Sequence, residues 1–597
     1  MPRHLLLILL VVIQSPLTAE AQERAERPNV ILIMVDDQGY GDIAAHGNPV
    51  LQTPHLDKLH GESVRLTDYH TDPTCSPTRA ALLTGRYSTR TGVWHTINGR
   101  SLLHPDEYTM AEYFRDNGYR TGMFGKWHLG ANAPFRPMDQ GFDHCVWSPS
   151  GAVNQGANWL GNDCFDDTYK LNDQWQQFPG YHTDVWFEQA MKFIADTDTH
   201  GDEPFFVYLP TTAVHVPWNI DDRYAQPYRD AGLPEAVAKF YGMVSNVDEN
   251  LGKLRAFLEE TGLSENTILI YTTDNGTAIG TAASRADYDF FNAGMRAWKG
   301  SSYEGGHRVP FFVHWPAGGL DEGREVDRLT MHLDVLPTLV DLTAGDIQAE
   351  KRMRGPMDGE SQLVFWMGVN DLPAPPIRFV HVQRQHIPPK WDHSSVMTER
   401  WRLVNGHELY DIEADPGQEQ NVAAKHPEIV ERLRSDYEKW WASLEPVFDD
   451  VARFDLGGAE NPTTLMSHDW LVETGQSVWN HHSVRHNDLR NGPFAVNVVQ
   501  AGRYRITPMR WPEYVDRPSG CTAGMVQIDF QDHLALQKPM MQIVKYDIDP
   551  AKPTPDFEID LPSGLARLTT TLTREDGETF GAYYVKIEYI GDSNTNE

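Results

Sequence analysis

The sequence predicts an α/β protein: a layered α/β/α domain on a mainly parallel sheet, a small α+β C-terminal subdomain, and an appended all-β sandwich. Three observations predict it. Short unbroken apolar runs rich in β-branched residues, such as Asn29–Val35 (NVILIMV) and 267–272 (TILIYT), suit strands buried on both faces. These runs alternate with segments of helical periodicity, which argues for helices layered on a sheet. From about residue 475 the pattern changes to short apolar or alternating runs separated by turn residues.

The chain has 597 residues, 40% hydrophobic and 23% charged, which excludes a mostly disordered or fibrous protein. That length accommodates roughly 2–4 domains. Lys and Arg number 51 against 84 Asp and Glu, a net charge of −33, which argues against a nucleic-acid partner. Cys75, Cys145, Cys164 and Cys521 are too few for a disulfide framework and show no zinc spacing. The sequence leaves open whether Cys145 and Cys164 pair.

Residues 1–21 read as a signal peptide. Arg3 precedes the apolar run 5–13, and Ala19, Glu20 and Ala21 give a small-x-small cleavage pattern. That run is too short to span a bilayer, and no later segment is long and apolar enough. The expectation is an exported protein, periplasmic or secreted, with no transmembrane segment.

Residues 22–365 are expected to form the α/β domain. After the strand Asn29–Val35, Thr109 and Glu112 make a capping box for a helix that stops at Asn117 and Gly118. Strands follow at 119–124, 205–209 (FFVYL) and 267–272. Val244, Val247, Leu251, Leu254 and Leu258 recur at helical spacing, with Gly262 as the stop. Residues 366–445 form the smaller subdomain, whose last helix ends at Leu444, Glu445 and Pro446. Residues 446–597 are a linker plus the sandwich, with strands expected at 494–500, 502–506, 525–530, 541–546 and 583–589.

Polar clusters follow the strands: Asp36 and Asp37, then Lys126 and His128, then His215, then Asp274 and Asn275. Ligands of open α/β sheets bind beyond the carboxyl ends of strands, so four clusters can converge on one site. One cluster alone would ordinarily be a loop cap; four together weaken that reading. Asp36, Asp37, Asp274 and Asn275 offer only oxygen and suit Ca²⁺ or Mg²⁺. Carboxylates packed together repel without a cation between them. Arg79, Lys126, His128, His215 and Lys299 suit a tetrahedral oxyanion ester, sulfate or phosphate. Asn275, Gly276 and Thr277 match a glycosylation sequon, but a strand-end metal cluster leaves no room for a glycan.

The segment from Pro73 to Gly85 decides among these readings. Pro77 fits the first turn of a helix, which places Cys75 at its positive end and Arg79 one turn on. Residue by residue, this is either an activated sulfur nucleophile or a buried structural cysteine. Cys75-Ser-Pro77-Thr-Arg79 followed by Leu83-Thr84-Gly85 resembles the Cys-x-Pro-x-Arg…Leu-Thr-Gly signature of the type I sulfatase family, within the alkaline phosphatase-like superfamily. Further motifs fall in order over roughly residues 28–425. They are Asp36-Asp37 through Asp42, Gly118-Tyr119 through Lys126-Trp127-His128, Asp274-Asn275-Gly276, and Trp298-Lys299-Gly300 through Glu304-Gly305-Gly306. Glu408-Leu409-Tyr410-Asp411 with Asp415, Pro416 and Asn421 resembles the close of the smaller subdomain. Phe124 departs from the pattern, where a smaller residue is usual, and so does Trp218, where a second His often follows His215-Val-Pro217.

The resemblance implies that a maturation enzyme oxidises Cys75 to formylglycine (3-oxoalanine), whose hydrate attacks the sulfate ester. It implies a cation, Ca²⁺ with Mg²⁺ as the alternative, on Asp36, Asp37, Asp274, Asn275 and residue 75. Asp274 would help deprotonate the attacking hydroxyl, and Arg79 and Lys126 would steady the hydrate. Lys126, His215 and Lys299 would grip sulfate, His215 with Lys299 would protonate the leaving alcohol, and His128 would take the proton that lets sulfate depart. The expected substrate is an extracellular sulfated polysaccharide or oligosaccharide. The alternatives are a phosphonate or phosphate ester hydrolase of the same superfamily and a non-catalytic carbohydrate-binding relic. The loop 147–159, the pair Trp94-His95, and Arg510-Trp511-Pro512 are candidate sugar contacts, each weighed against a purely structural role.

Overall fold

The computed structural model describes residues 27–199, 203–345, 347, 354–369, 374–382, 384–530 and 540–592. The signal-peptide expectation lies outside the described residues.

A ten-stranded sheet organises the first part of the chain. Its centre is β1 (Asn29–Val35), β2 (Arg120–Lys126), β3 (Phe205–Pro210) and β4 (Thr267–Thr273). The spatial order is β4, β1, β3, β2, then His144–Ser148, and all these neighbours are parallel. Ile31 thus pairs with Val207 on one side and Leu269 on the other. Antiparallel strands flank this centre on both sides, Phe311–His314 beside β4 and Thr168–Leu171 beyond His144–Ser148.

The alternation of β1 explains its unbroken apolar run. Ile31, Ile33 and Val35 face one layer with the helix Glu235–Glu260, while Val30, Leu32 and Met34 face the other with Leu82, Leu336 and Leu339. All six side chains are fully buried, each contributing about 1.5–3 kcal/mol. The capping box forms as expected: Thr109 accepts from Glu112 N–H at 3.1 Å, and Glu112 accepts from Thr109 N–H at 2.9 Å, opening the helix Met110–Asp116.

A four-stranded antiparallel sheet (Arg378–His381, Ser394–Met397, Trp401–Val404, Glu408–Asp411) packs with the helix Pro427–Leu444 around its own core. The rest is a sandwich of a six-stranded and a four-stranded sheet over a third core. The strands expected in the sandwich are present with shifted ends: Cys521–Phe530 begins earlier and Gly502–Met509 runs longer than expected. Its longest strand, Gly564–Arg574, carries period-two burial at Ala566, Leu568, Thr570 and Leu572, and the sequence reading passed over it because threonines dilute the pattern. All four cysteines are free and buried, so Cys145 and Cys164 do not pair.

Candidate active site

The four strand-end clusters converge. Asp36 and Asp37 leave β1, Lys126 ends β2, His215 lies beyond β3, and Asp274 and Asn275 leave β4. Cys75 is the first residue of the helix α1 (Cys75–Thr84), whose ten residues are all buried. Oxygens of Asp36, Asp37 and Asp274 and the Cys75 sulfur all lie within 4.8 Å of one another.

Two cations brace the cluster from beneath. Lys126 Nζ donates to Asp36 Oδ2 at 2.6 Å. Arg79, one turn along α1 from Cys75, donates through Nε and Nη2 to Asp274 Oδ2 at 3.2 and 2.7 Å, and through Nη1 to the Lys126 carbonyl at 3.1 Å. On the open side Lys299 Nζ bonds Asp37 Oδ1 and lies 3.4 Å from the Cys75 sulfur. His215 Nε2 is 3.7 Å from Asp37 Oδ2, and its Nδ1 donates to the Val216 carbonyl at 2.8 Å. Asn275 Nδ2 donates to Asp37 Oδ1 at 2.9 Å, and with the residue fully buried no glycan can be attached.

The backbone is held in unusual shape at two of these residues. Asp37 and His128 have φ of 66° and 62°, left-handed values that side-chain-bearing residues rarely adopt. Asp37 N–H is tied to Asp274 Oδ1 at 3.1 Å, and His128 N–H to the Pro149 carbonyl at 3.2 Å. Gly276 is required for contact: a Cβ there would sit 1.9 Å from the Gly305 carbonyl, so the β4 motif docks on the segment after Lys299 only as glycine. Phe124 fits because residue 122 is Gly; a Cβ there would meet the Phe124 ring at 2.8 Å.

The electrostatics sort these groups. Burial and neighbouring Asp274 push Asp36 well above the carboxylate range, with Lys126 offsetting only part. Burial also opposes ionisation of Asp37, but Lys299 and His215 outweigh it and hold Asp37 low. Asp274 is likewise held low against burial, by Arg79 and Lys126. Burial keeps His128 neutral, its pKa pushed well down, and Lys126 adds to that effect. Burial takes His215 down to about 4, with Asp37 pulling the other way.

The comparisons with known proteins agree with this geometry. The family model described as Sulfatase matches residues 28–345. The chain belongs to the sulfatase family. Mouse arylsulfatase J (Mus musculus) is 27% identical over 485 residues, 70% of this chain and 78% of that protein. The N-acetylgalactosamine-6-O-sulfatase of Bacteroides thetaiotaomicron is 29% identical over 488 residues, 69% of this chain and 92% of the relative. Among solved structures, Ps i-CgsB in complex with k-i-k-neocarrahexaose superposes with a TM-score of 0.61 at 25% identity, covering 69% of this chain and 92% of that one. The protein is a sulfuric ester hydrolase with the alkaline phosphatase-like fold.

In this sulfatase, burial pushes the Cys75 thiol up to about 11, with Lys126 and Lys299 offsetting only part. Burial thus disfavours the thiolate, the reactive form, and lends no support to the residue-level reading of an activated sulfur nucleophile. A cavity of about 540 Å³ opens beside Asp37, His215 and Lys299, walled by Trp218, Val216 and Arg285. Trp218 donates to the Val214 carbonyl at 3.2 Å and so forms a wall where a second histidine was looked for.

The candidate sugar contacts divide. Trp94 is fully buried, donates to backbone carbonyls of Gln385 and His386, and packs edge-on to Phe448, a structural role. Loop 147–159 runs past His128; a Cβ on Gly151 would meet that ring at 2.4 Å. The sequence reading missed His468 of the sandwich, whose ring centroid is 6.1 Å from that of His128. No motif surrounds His468, so only the fold brings it there.

Proposed function

We propose that this sulfatase cleaves the S–O bond of sulfate esters on a sulfated polysaccharide or oligosaccharide outside the cell, with residue 75 as formylglycine and Ca²⁺ in the oxygen cluster, Mg²⁺ being the alternative ion. One observation carries the reading: Cys75 opens its helix with Lys299 at 3.4 Å and three carboxylates within 4.8 Å. The residues present fit such an ion. Asp36 Oδ1 and Asn275 Oδ1 are buried without a hydrogen-bond partner, and the donors are oxygens throughout once residue 75 carries oxygen in place of sulfur.

Formylglycine supplies, as its hydrate, an oxygen nucleophile, and a divalent cation on Asp36, Asp37, Asp274 and Asn275 lowers the repulsion between that nucleophile and the ester. The chain's own residues do the rest. Arg79 and Lys126 fix Asp274 and Asp36 so that the site keeps its shape in either state of charge. Lys126, Lys299 and His215 bind the sulfate oxygens, and ionic hydrogen bonds of this kind are the stronger ones. His215 Nδ1–H is committed to Val216, so Nε2 is the nitrogen that exchanges a proton with the leaving oxygen. A bound sulfate raises the proton affinity of His215 by its charge. His128 donates Nε2–H to the Thr96 carbonyl at 2.9 Å, which leaves Nδ1, buried and without a partner, as the proton acceptor.

Export rests on residues 1–21, and the β sandwich with loop 147–159 supports a large substrate over a small one. The test is free sulfate release from sulfated polysaccharides and oligosaccharides against small aryl sulfates and a chromogenic phosphonate. The protein is co-expressed with a formylglycine-generating enzyme. Release from glycans supports the reading. Turnover of aryl sulfates alone removes the glycan part, and turnover of the phosphonate alone removes the sulfate part.

A further inference from the structure

A cleft of about 610 Å³ lies in the sandwich, apart from the catalytic cluster. It is lined along the strand Gly502–Met509 and the loop that follows, and Arg505, Arg510, Trp511, Arg517 and Lys586 supply its cations and its aromatic surface. The cations are of two kinds. Arg505 is consumed by Asp556, Glu558 and Glu588 at 3.2, 3.2 and 3.0 Å, and Lys586 by Glu513 at 2.7 Å. Arg510 and Arg517 have no carboxylate within 4.0 Å among the described residues, and Arg510 Nε is buried without a hydrogen-bond partner. Asp516 is the one lining acid with no such cation partner.

Both free guanidiniums lie over the same indole. Arg510 and Arg517 are 4.9 and 5.1 Å from the Trp511 ring centroid. Stacking on an aromatic holds a guanidinium flat and leaves its N–H edge for an anion, which suits bidentate contact with a sulfate or carboxylate.

The cleft is joined to the active site. Tyr514, in the same loop, stacks on Trp159 with centroids 3.5 Å apart and planes within 5°, and its hydroxyl accepts Leu160 N–H at 2.8 Å. Loop 147–159 in turn packs Gly151 against His128. Further bonds, Gly156 N–H to the Trp479 carbonyl at 2.8 Å and His481 N–H to the Asn154 carbonyl at 2.9 Å, fix sandwich and loop together.

We propose that this cleft is a second, non-catalytic binding site for an anionic sugar of the glycan chain, with Arg510 and Arg517 holding a sulfate or carboxylate group on the Trp511 platform. It rests on the reading of the substrate as a sulfated glycan. Its consequence is that the sandwich retains a long chain while the catalytic site works on another residue of it.

The experiment uses the full chain carrying Cys75→Ala, so that substrate is bound and not consumed, with and without R510A/R517A. Affinity electrophoresis through gels containing a sulfated polysaccharide, the desulfated form of the same polymer, or a polyuronate reads binding. The expected result is retardation by a charged polymer, weakened by added salt and reduced about tenfold or more in affinity by the double substitution. Sulfated against uronate gels tell which anion is held. In the catalytically competent protein, R510A/R517A should lower kcat/KM on the polysaccharide and leave that on a chromogenic aryl sulfate within about twofold. Equal retardation of both proteins, or retardation unaffected by desulfation and by uronate content, overturns the proposal. Equal loss on polysaccharide and aryl sulfate overturns it as well, since that marks a structural role. Failure of the unsubstituted enzyme to release sulfate from any ester sinks the functional reading instead.

Discussion

Arg79 Nη2 lies 2.7 Å from Asp274 Oδ2, and both side chains are fully buried. Residue 75 and a carboxylate of the oxygen cluster are therefore tied through one ion pair, since Arg79 stands one turn from Cys75 on the same helix. Truncation to Arg79→Ala leaves Asp274 buried beside Asp36 and Asp37 without its main partner. The expected cost is about 3–5 kcal/mol, measured by urea unfolding at pH 7. Arg79→Lys should fall between, because one ammonium cannot reach both Asp274 and the Lys126 carbonyl. An unchanged midpoint for Arg79→Ala contradicts this role.

Metal removal should act on stability and turnover together. With the proposed cation seated among three carboxylates, exhaustive chelation should lower both turnover and the melting temperature. Calcium should restore both, with a stabilisation of about 2.7 kcal/mol at a hundredfold excess over Kd. Asn275→Ala should raise the calcium needed for half-recovery. A melting temperature indifferent to chelator and to calcium argues against the cation.

Glycine substitutions separate close approach from propensity. Gly276→Ala places a methyl 1.9 Å from the Gly305 carbonyl and should abolish turnover while lowering stability. Gly61→Ala, in the helix Pro54–Glu62 with open space around it, should raise stability by about 0.5–1 kcal/mol. Thermal melts of the two variants check both signs.

Acid should unpick a buried ion cluster that docks the smaller sheet. Arg402 Nε bonds Glu304 at 2.8 Å and Nη2 bonds Asp68 at 2.7 Å. Burial opposes ionisation of Glu304, yet Arg402 and His70 hold it at about 2. A carboxylate held below its unfolded value of about 4.3 stabilises the fold above that pH, and the contribution is lost as pH falls from about 4.3 toward 2. Melting temperature should therefore fall steeply in that window. Arg402→Met should be less stable at pH 7 and lose less on acidification, because its buried carboxylates gain by being protonated. A parallel pH dependence in both proteins contradicts this.

Much of this was legible in the sequence because it is written locally. The β1 run, the capping box at Thr109 and the Cys75 segment each carry their cause within a few residues, and the residues placed at the strand ends meet where open sheets collect ligands. The resemblance added what spacing cannot show, the oxidation of Cys75 that the proposed function rests on. What stayed hidden depends on long-range packing. Gly564–Arg574 looks polar because Thr569, Thr571 and Thr573 lie on its outer face and a fourth threonine, Thr570, takes an inward position among Ala566, Leu568 and Leu572. His468 reaches His128 only through the docking of the sandwich. The pull of burial on the Cys75 thiol is likewise a property of the folded surroundings.

The most direct test of the central claim compares this chain made with and without a formylglycine-generating enzyme, with Cys75→Ala as the blank, each incubated with the same sulfated oligosaccharides. Peptide mass analysis records the state of residue 75, and ion chromatography records free sulfate. The account predicts sulfate release in proportion to the converted fraction and none from Cys75→Ala. Equal release from the unconverted protein, or from Cys75→Ala, would contradict it.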